Sequence, residues 1–347
     1  MTQGPASRPH PLLVGEARDP AMDDVHVLLD LVTGYQRAAV LTAASRIGVF
    51  DALDPVTPRD VDALAGELRL TGAATLAPLL DVLVAHGLVG RREDGYVRRG
   101  PIAEALRRDG DLGAVIEKEA TFARLWNDLD RVVREDAPLL APWRDRLRDE
   151  PARCRAFLDA LDVLARRTGA PLDRLRELAP DRRVLDVGGG LGSFARLLAA
   201  SGSTVTLVDL APVTDWATEA LAGLDGVTVV TADAVAEAAC GVAPASHDAA
   251  LLSHLLHDLD DDDAAAVLAH AVEAVEPGGH VVVSEFAGDA GPGDFGPLFD
   301  LMMRVETGSR ARALIGFADL MEGAGLEDVR RAPFGEPLTV LVGRVPG

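Results

Sequence analysis

From Val184 onward the chain alternates short apolar runs with helical stretches, and no other feature limits its fold as tightly. The runs are RVLDVG, VTLVDL, VTVVTAD, AALLSH, HVVVSEF and, near the end, LTVLVGRV. Strands alternating with helices predict βαβ units and a mostly parallel sheet, with ligands gathered outside the carboxyl ends of the strands. The expected class for this half is therefore α/β and Rossmann-like.

The first run opens into GGGLG, which places Gly188, Gly189, Gly190 and Gly192 between a strand and a helix expected to begin near Ser193. Glycine lets the main chain approach a ligand and adopt positive φ, and a helix start attracts a negative group. A phosphate loop needs Gly-Lys-Ser/Thr at its end, and no lysine is near. The dinucleotide fingerprint needs a glycine where Ser193 stands. The remaining pattern, an acid at Asp186 followed by Gly188, Gly190 and Gly192, resembles motif I of class I methyltransferases, which bind S-adenosylmethionine. Asp209 ends the next strand, where a carboxylate can accept both hydroxyls of a ribose. Asp233 ends the third strand; the resemblance implies contact with the adenine amino group, and an ordinary turn residue is the alternative.

The first half is mainly helical. VHVLLDLVTGYQRAAVLTAASRIGVFDAL has apolar residues at helical spacing and is punctuated by Gly48. A helix is expected to open at Thr57-Pro58, another to end near Gly87, and LVGRREDGYVRR to form a hairpin turning at Asp94-Gly95. Helix, helix and two-stranded wing make a winged-helix arrangement, which raises the reading of a small-molecule-sensing transcription regulator. The helix in GAATLAPLLDVLVAHG has no Arg or Lys for phosphates or base edges, so packing against another chain is the better reading. A net charge of -21 also disfavours nucleic acid. No run is long enough to span a bilayer, and no secretory leader is recognisable, so no membrane partner is expected. Two cysteines, Cys154 and Cys240, without ligand spacing fit a reducing cytoplasm and argue against a structural metal. The chain divides into an N-terminal arm (1–22), a winged-helix-type domain (23–110), linking helices broken at Pro138, Pro142, Pro151 and Pro171 (111–180), and the Rossmann-like domain (181–347).

The stretch DAALLSHLLHDLDDDDAAAVLAHAVEAVEPGGHVVVSE resembles the small-molecule O-methyltransferases of plant caffeate type and of actinomycete antibiotic pathways. LVTGYQRAAVLTAASRIGVFDAL is similar to that family's dimerisation domain, and the likeness runs from about Asp30 to the C-terminus. The resemblance implies a class I methyltransferase domain behind a mainly α winged-helix dimerisation domain. It further implies a cytoplasmic homodimer in which each subunit helps close the other's site. On that resemblance the cofactor would be S-adenosylmethionine, and the partner a small, aromatic acceptor from secondary metabolism. The histidine of the HD pair, His257, would be the general base and Glu285 the acid that orients it. A phenol, with a pKa of about 10, is a poor nucleophile until a positioned base takes its proton. His254 is the competing base, three residues away and on the same face if the turn is helical. The acids from Asp258 to Asp263 suit the opening turn of a helix better than a divalent cation. No metal is called for. Cofactor contacts are expected from Asp186, Gly188, Gly190, Gly192, Asp209, Asp233 and Ser253. Met302, Met303 and Trp126, with Phe122 beside it, are candidates for the acceptor pocket, core packing being the alternative for the methionines.

The chain departs from the family pattern at several places. Ala311-Arg312 stands where a second acid is usual, and Glu306 is nearby but out of register. Ser253 replaces a lysine, while Leu259 and Ala234 replace aromatic residues. Some relatives bind the cofactor yet catalyse decarboxylation, hydroxylation or pericyclic reactions, which is the alternative activity. Arg304, Arg310 and Arg312 would then grip a substrate carboxylate or carbonyl, with solvated surface charge as the plain alternative.

Overall fold

A computed structural model describes residues 20–168 and 170–347. Most of the arm expected over residues 1–22 lies outside them; the first described helix is Pro20–Ile47. The described chain divides into two units, one ending at Ile116 and the other beginning at Glu117.

In the first unit, Gly48 (φ 84°) breaks the long helix from the short turn Val49–Ala52, a left-handed conformation that favours glycine. The helix expected at Thr57-Pro58 begins instead at Val61, where the Asp60 side chain accepts the N–H groups of Asp62 and Ala63. Arg59 explains the shift: its backbone pairs with Tyr96 of the wing, which keeps this stretch extended. The wing is β1 (Val89–Arg92) against β2 (Gly95–Arg98), antiparallel and turning at Glu93-Asp94. Helix Leu76–Ala85 buries Leu76, Leu80 and Leu83 against Phe50, Leu53 and Leu64. Each such side chain contributes about 1.5–3 kcal/mol of burial, so this helix is used for packing within its own unit.

In the second unit, helices up to Thr168 lead into a seven-stranded sheet. Its strands are β3 (Arg183–Val187), β4 (Thr204–Asp209), β5 (Val227–Thr231), β6 (His247–Ser253), β7 (Val275–Phe286), β8 (Glu327–Arg331) and β9 (Leu338–Arg344). The order is β5-β4-β3-β6-β7-β9-β8; the first five are parallel, and β9 and β8 are each antiparallel to their neighbour. Sequence periodicity missed β8. Its residues, EDVRR, are polar and mostly exposed because it is an edge strand with little core to face. The central strands are apolar on both faces: Leu185, Leu252 and Val283 pack on one side, Val184, Leu251 and Val282 on the other. Both cysteines are buried free thiols. Among the described residues, no helix is long and apolar enough to cross a membrane.

Candidate active site

The parallel strands end together, so Asp186, Asp209, Ser253 and Glu285 come from distant parts of the chain to one rim of the sheet. Asp186 is 1% exposed at the end of β3, and its Oδ2 has no hydrogen-bond partner among the described residues. Burial, reinforced by the charge of Asp209, pushes its carboxyl up to about 7. A Cβ on Gly189 would come within 2.8 Å of that oxygen, so glycine keeps the space over the acid clear. Gly188, Gly190 and Gly192 all have positive φ. A Cβ on Gly190 would meet only Leu158, at 3.9 Å. Asp209 accepts the backbone N–H of Gly190 at 2.9 Å and of Leu210 at 2.7 Å, fixing the loop to β4. Burial pushes Asp209 up to about 6.

This donor set fits S-adenosylmethionine. An unpaired buried carboxylate oxygen and a second carboxylate suit a cationic, hydroxyl-bearing ligand and would repel a phosphate. Ser253, at the end of β6, adds a buried hydroxyl without a partner. Asp233 is already engaged: Arg144 pairs with it, and it accepts the N–H groups of Val235 and Ala236. Contact with an adenine amino group requires that ion pair to open. Arg144 escaped sequence reasoning because 89 positions separate the partners.

His257 lies in a short turn, Leu256–Asp258, just after β6. Its Nδ1 is 2.6 Å from Glu285 Oε2, while Nε2 is 3.8 Å from Asp258, too far for a hydrogen bond. Glu285 is fully buried, and its Oε1 accepts the N–H groups of Leu255 at 2.9 Å and Leu256 at 2.7 Å. One acid thus holds both the ring and the turn that carries it. Burial opposes a charge on His257, but Glu285, Asp258 and Glu306 outweigh it and raise the imidazole above its ordinary range. His254 goes the other way: burial, with the charge of His257, pushes it down to about 4. The two rings approach to 6.0 Å, although not on a helix. His254 has a left-handed backbone (φ 53°) at the strand's end.

The sequence shows no metal-ligand pattern, yet the fold brings donor atoms of His254, His257 and Glu285 within 4.8 Å of one another. Both Glu285 oxygens are already occupied by N–H donors, which makes the cluster an imidazole holder. The acids after His257 open helix Asp261–Ala274, with Asp260 capping the N–H of Asp263.

Arg312 overturns the surface-charge alternative. It is 4% exposed and donates to the carbonyls of Leu256 and Leu259 and to Asp261, clasping the turn around His257. Those bonds leave it a positioning task and no free donor face for a substrate carboxylate. Arg310 pairs with Asp261 and Arg304 with Asp300, both at exposed positions. The Ser309 hydroxyl donates to the His257 carbonyl, a second clasp on the same turn.

Met303 is buried beside Phe299 and Ala311, and Met302 packs partly against them. Phe299 meets the His257 ring edge-on at 5.2 Å, and Phe286 lies 4.7 Å from His254. Phe286, Phe295 and Phe299 form an aromatic wall that sequence reasoning missed. The signal was present in DFGPLFDLMM, whose two phenylalanines stand four residues apart on one helical face. Phe122 is buried against Phe157, with ring centroids 5.6 Å apart. Trp126 is half-buried in the short turn Trp126–Asp128.

Residues 140–327 match the O-methyltransferase domain family, and residues 29–109 match the O-methyltransferase dimerisation domain family. The 3-hydroxy-5-methyl-1-naphthoate 3-O-methyltransferase of Streptomyces sahachiroi is 32% identical over 335 residues, covering 93% of this chain and 95% of its own. Aclacinomycin 10-hydroxylase RdmB of Streptomyces purpurascens is 32% identical over 350 residues, covering 90% and 87%. Among solved structures, that of PigF with SAH superposes with a TM-score of 0.78 at 25% identity, covering 92% of this chain and 98% of the other.

Proposed function

The chain belongs to the O-methyltransferase family and is an S-adenosylmethionine-dependent O-methyltransferase, and from that premise we propose that it methylates a phenolic hydroxyl of an aromatic secondary metabolite, with His257 as general base. The observation that carries this reading is the 2.6 Å contact between His257 Nδ1 and Glu285. In the neutral ring that contact keeps the remaining proton on Nδ1, facing Glu285, and leaves Nε2 to accept. Because the same carboxylate raises the imidazole's pKa, the ring must first give up its second proton. When bound, the cofactor supplies an electrophilic methyl group on a sulfonium. The chain's own tasks are to position the acceptor hydroxyl and receive its proton at Nε2. The opposite pKa shifts support His257 over His254, since an imidazole lowered to about 4 is a weak proton acceptor. Phe286, Phe295 and Phe299 suit a flat aromatic acceptor. The likeness to the naphthoate enzyme makes a fused-ring phenol a sensible probe.

Cofactor contacts fall to Asp186, Gly188, Gly190, Gly192, Asp209 and Ser253, with Asp233 joining once Arg144 releases it. Self-association into a homodimer is supported by helix Pro20–Ile47, where Leu28, Leu31, Val32 and Tyr35 are 57%, 74%, 56% and 70% exposed. An apolar face of that extent calls for a partner surface, and the family's dimerisation domain points to a second copy. Light scattering should give twice the monomer mass for the full chain, and Leu31→Glu should reduce it. Two buried free thiols fit the cytoplasm.

Calorimetric titration with S-adenosylmethionine and its demethylated product comes first, followed by labelled-methyl transfer to a panel of phenols and naphthols. Micromolar binding and transfer to at least one hydroxyl are expected. Absence of cofactor binding would sink the reading. A second reading, hydroxylation of the acceptor, is favoured by one observation: the aclacinomycin hydroxylase matches at the same 32% identity. Cofactor binding without methyl transfer, together with a product heavier by one oxygen that forms only with added dioxygen and a two-electron reductant, would select it.

A further inference from the structure

Glu306 closes helix Phe295–Glu306 at 5% exposure, and its Oε1 has no hydrogen-bond partner among the described residues. A buried, unpaired carboxyl oxygen costs stability, and a leucine or methionine would fill such a place better. The residue therefore calls for a partner that the described residues do not supply. Its position says where that partner lies. Phe299, Met303 and Glu306 share one helical face, at spacings of four and seven residues, and all three are buried. Phe299 touches the His257 ring, and three residues beyond Glu306 the Ser309 hydroxyl returns to the His257 carbonyl. Thr307 Oγ1 tightens that return by donating to Ser309 Oγ at 2.9 Å. The segment bearing Glu306 is thus pinned to the base histidine on both sides.

Lys118, whose ammonium pairs with Glu119 at 2.9 Å, acts on Glu306 through its charge and not through a hydrogen bond. It is the chain's single lysine, every other one of its 34 basic side chains being arginine. Its side chain is only 9% exposed and lies over the rings of Phe122 at 5.1 Å and Phe157 at 5.7 Å. Burial pushes Glu306 up to about 7, against the pull of Lys118 and Arg146 and with the added push of Asp258. Near neutrality the group can therefore serve as hydrogen-bond donor or acceptor.

We propose that Glu306 is a specificity-determining residue of the acceptor site: its carboxyl hydrogen-bonds a second polar substituent, a hydroxyl or amino group, on an aromatic acceptor whose reacting hydroxyl lies at His257. This rests on the aromatic-acceptor reading above. It also gives the site a second acid where Ala311 offers none.

The test titrates the full-length protein, saturated with S-adenosylhomocysteine, with 2-naphthol and with a set of naphthalenediols. Wild type should bind at least one diol about tenfold tighter than 2-naphthol, a difference of about 1.4 kcal/mol. Glu306→Ala and Glu306→Leu should abolish that preference while leaving 2-naphthol affinity within roughly twofold, and Glu306→Gln, which keeps a donor and an acceptor, should restore most of it. The thermal midpoint of ligand-free Glu306→Leu should hold or rise, because an unpaired buried acid has been removed. An unchanged diol preference in Glu306→Ala, or a falling midpoint with both ligands weakened equally, overturns the proposal and leaves Glu306 a structural residue. Failure of every naphthol to bind the wild-type complex overturns the aromatic-acceptor reading itself.

Discussion

Asp186 and Glu285 end parallel strands of one sheet, both almost wholly buried, and the fold treats them in opposite ways. Glu285 is complete within the chain: it accepts two backbone N–H groups and the His257 ring. Burial alone would push it up, but the imidazolium and these N–H groups hold it below the usual carboxylate range. Asp186 has an oxygen with no donor and is pushed up to about 7. The contrast separates two kinds of functional acid. One is finished by folding and orients the His257 ring. The other is left unpaired, so that a donor-bearing or cationic ligand is bound in place of a missing internal partner.

Removing the group that the finished acid orients should have the largest effect. His257→Ala should lower kcat by about 10²–10⁴-fold with cofactor Kd nearly unchanged; single-turnover kinetics beside calorimetry would show it. Retained turnover would break the assignment of the base. Glu285→Gln comes next, with a loss of roughly 10–10²-fold in kcat and a shifted pH profile. Because Glu285 raises the His257 pKa, its neutral replacement should move the acid limb of kcat/KM to lower pH. A limb that stays put would mean another group titrates there.

On the cofactor side, Asp209→Ala should weaken binding by about 10- to 100-fold, the worth of a charged hydrogen bond, with the same limb position in the pH profile. The smallest effect concerns stability. In the ligand-free protein Asp186 keeps its proton until about pH 7, whereas the unfolded group ionises near 4. The folded state then binds more protons than the unfolded one, so stability falls as pH rises through that window and levels off above it. Asp186→Asn should flatten this part of the profile in chemical denaturation, and bound cofactor should do the same. An unaltered slope in the variant would show that Asp186 already has its partner.

Much of this site was legible as text. The glycines, Asp186 and Asp209 sit within one βαβ unit, so spacing alone could set them beside a common ligand. His257 and Glu285 were legible through family likeness, because nothing local links residues 28 positions apart. Arg312 was misjudged because an arginine in the polar stretch TGSRAR after Gly308 reads as surface. Only packing shows its guanidinium buried against the carbonyls around His257. Glu306 was set aside for being out of register with the usual acid. Register along a helix does not say what a side chain meets when the next loop folds back, as the one at Ser309 does.

By itself the sequence determined the periodicities, and with them the strands, helices and glycine loop, since these depend on residues a few positions apart. It also determined which residue types were available for proton transfer and for holding a sulfonium ligand. The tertiary structure decided which of those groups share a neighbourhood and what each costs to ionise. Burial and pairing set a pKa, and both are properties of surroundings assembled across the sheet, not of spacing along the chain. That is why two histidines three residues apart end up displaced in opposite directions, and why the buried acid without a partner is found only after the chain has folded.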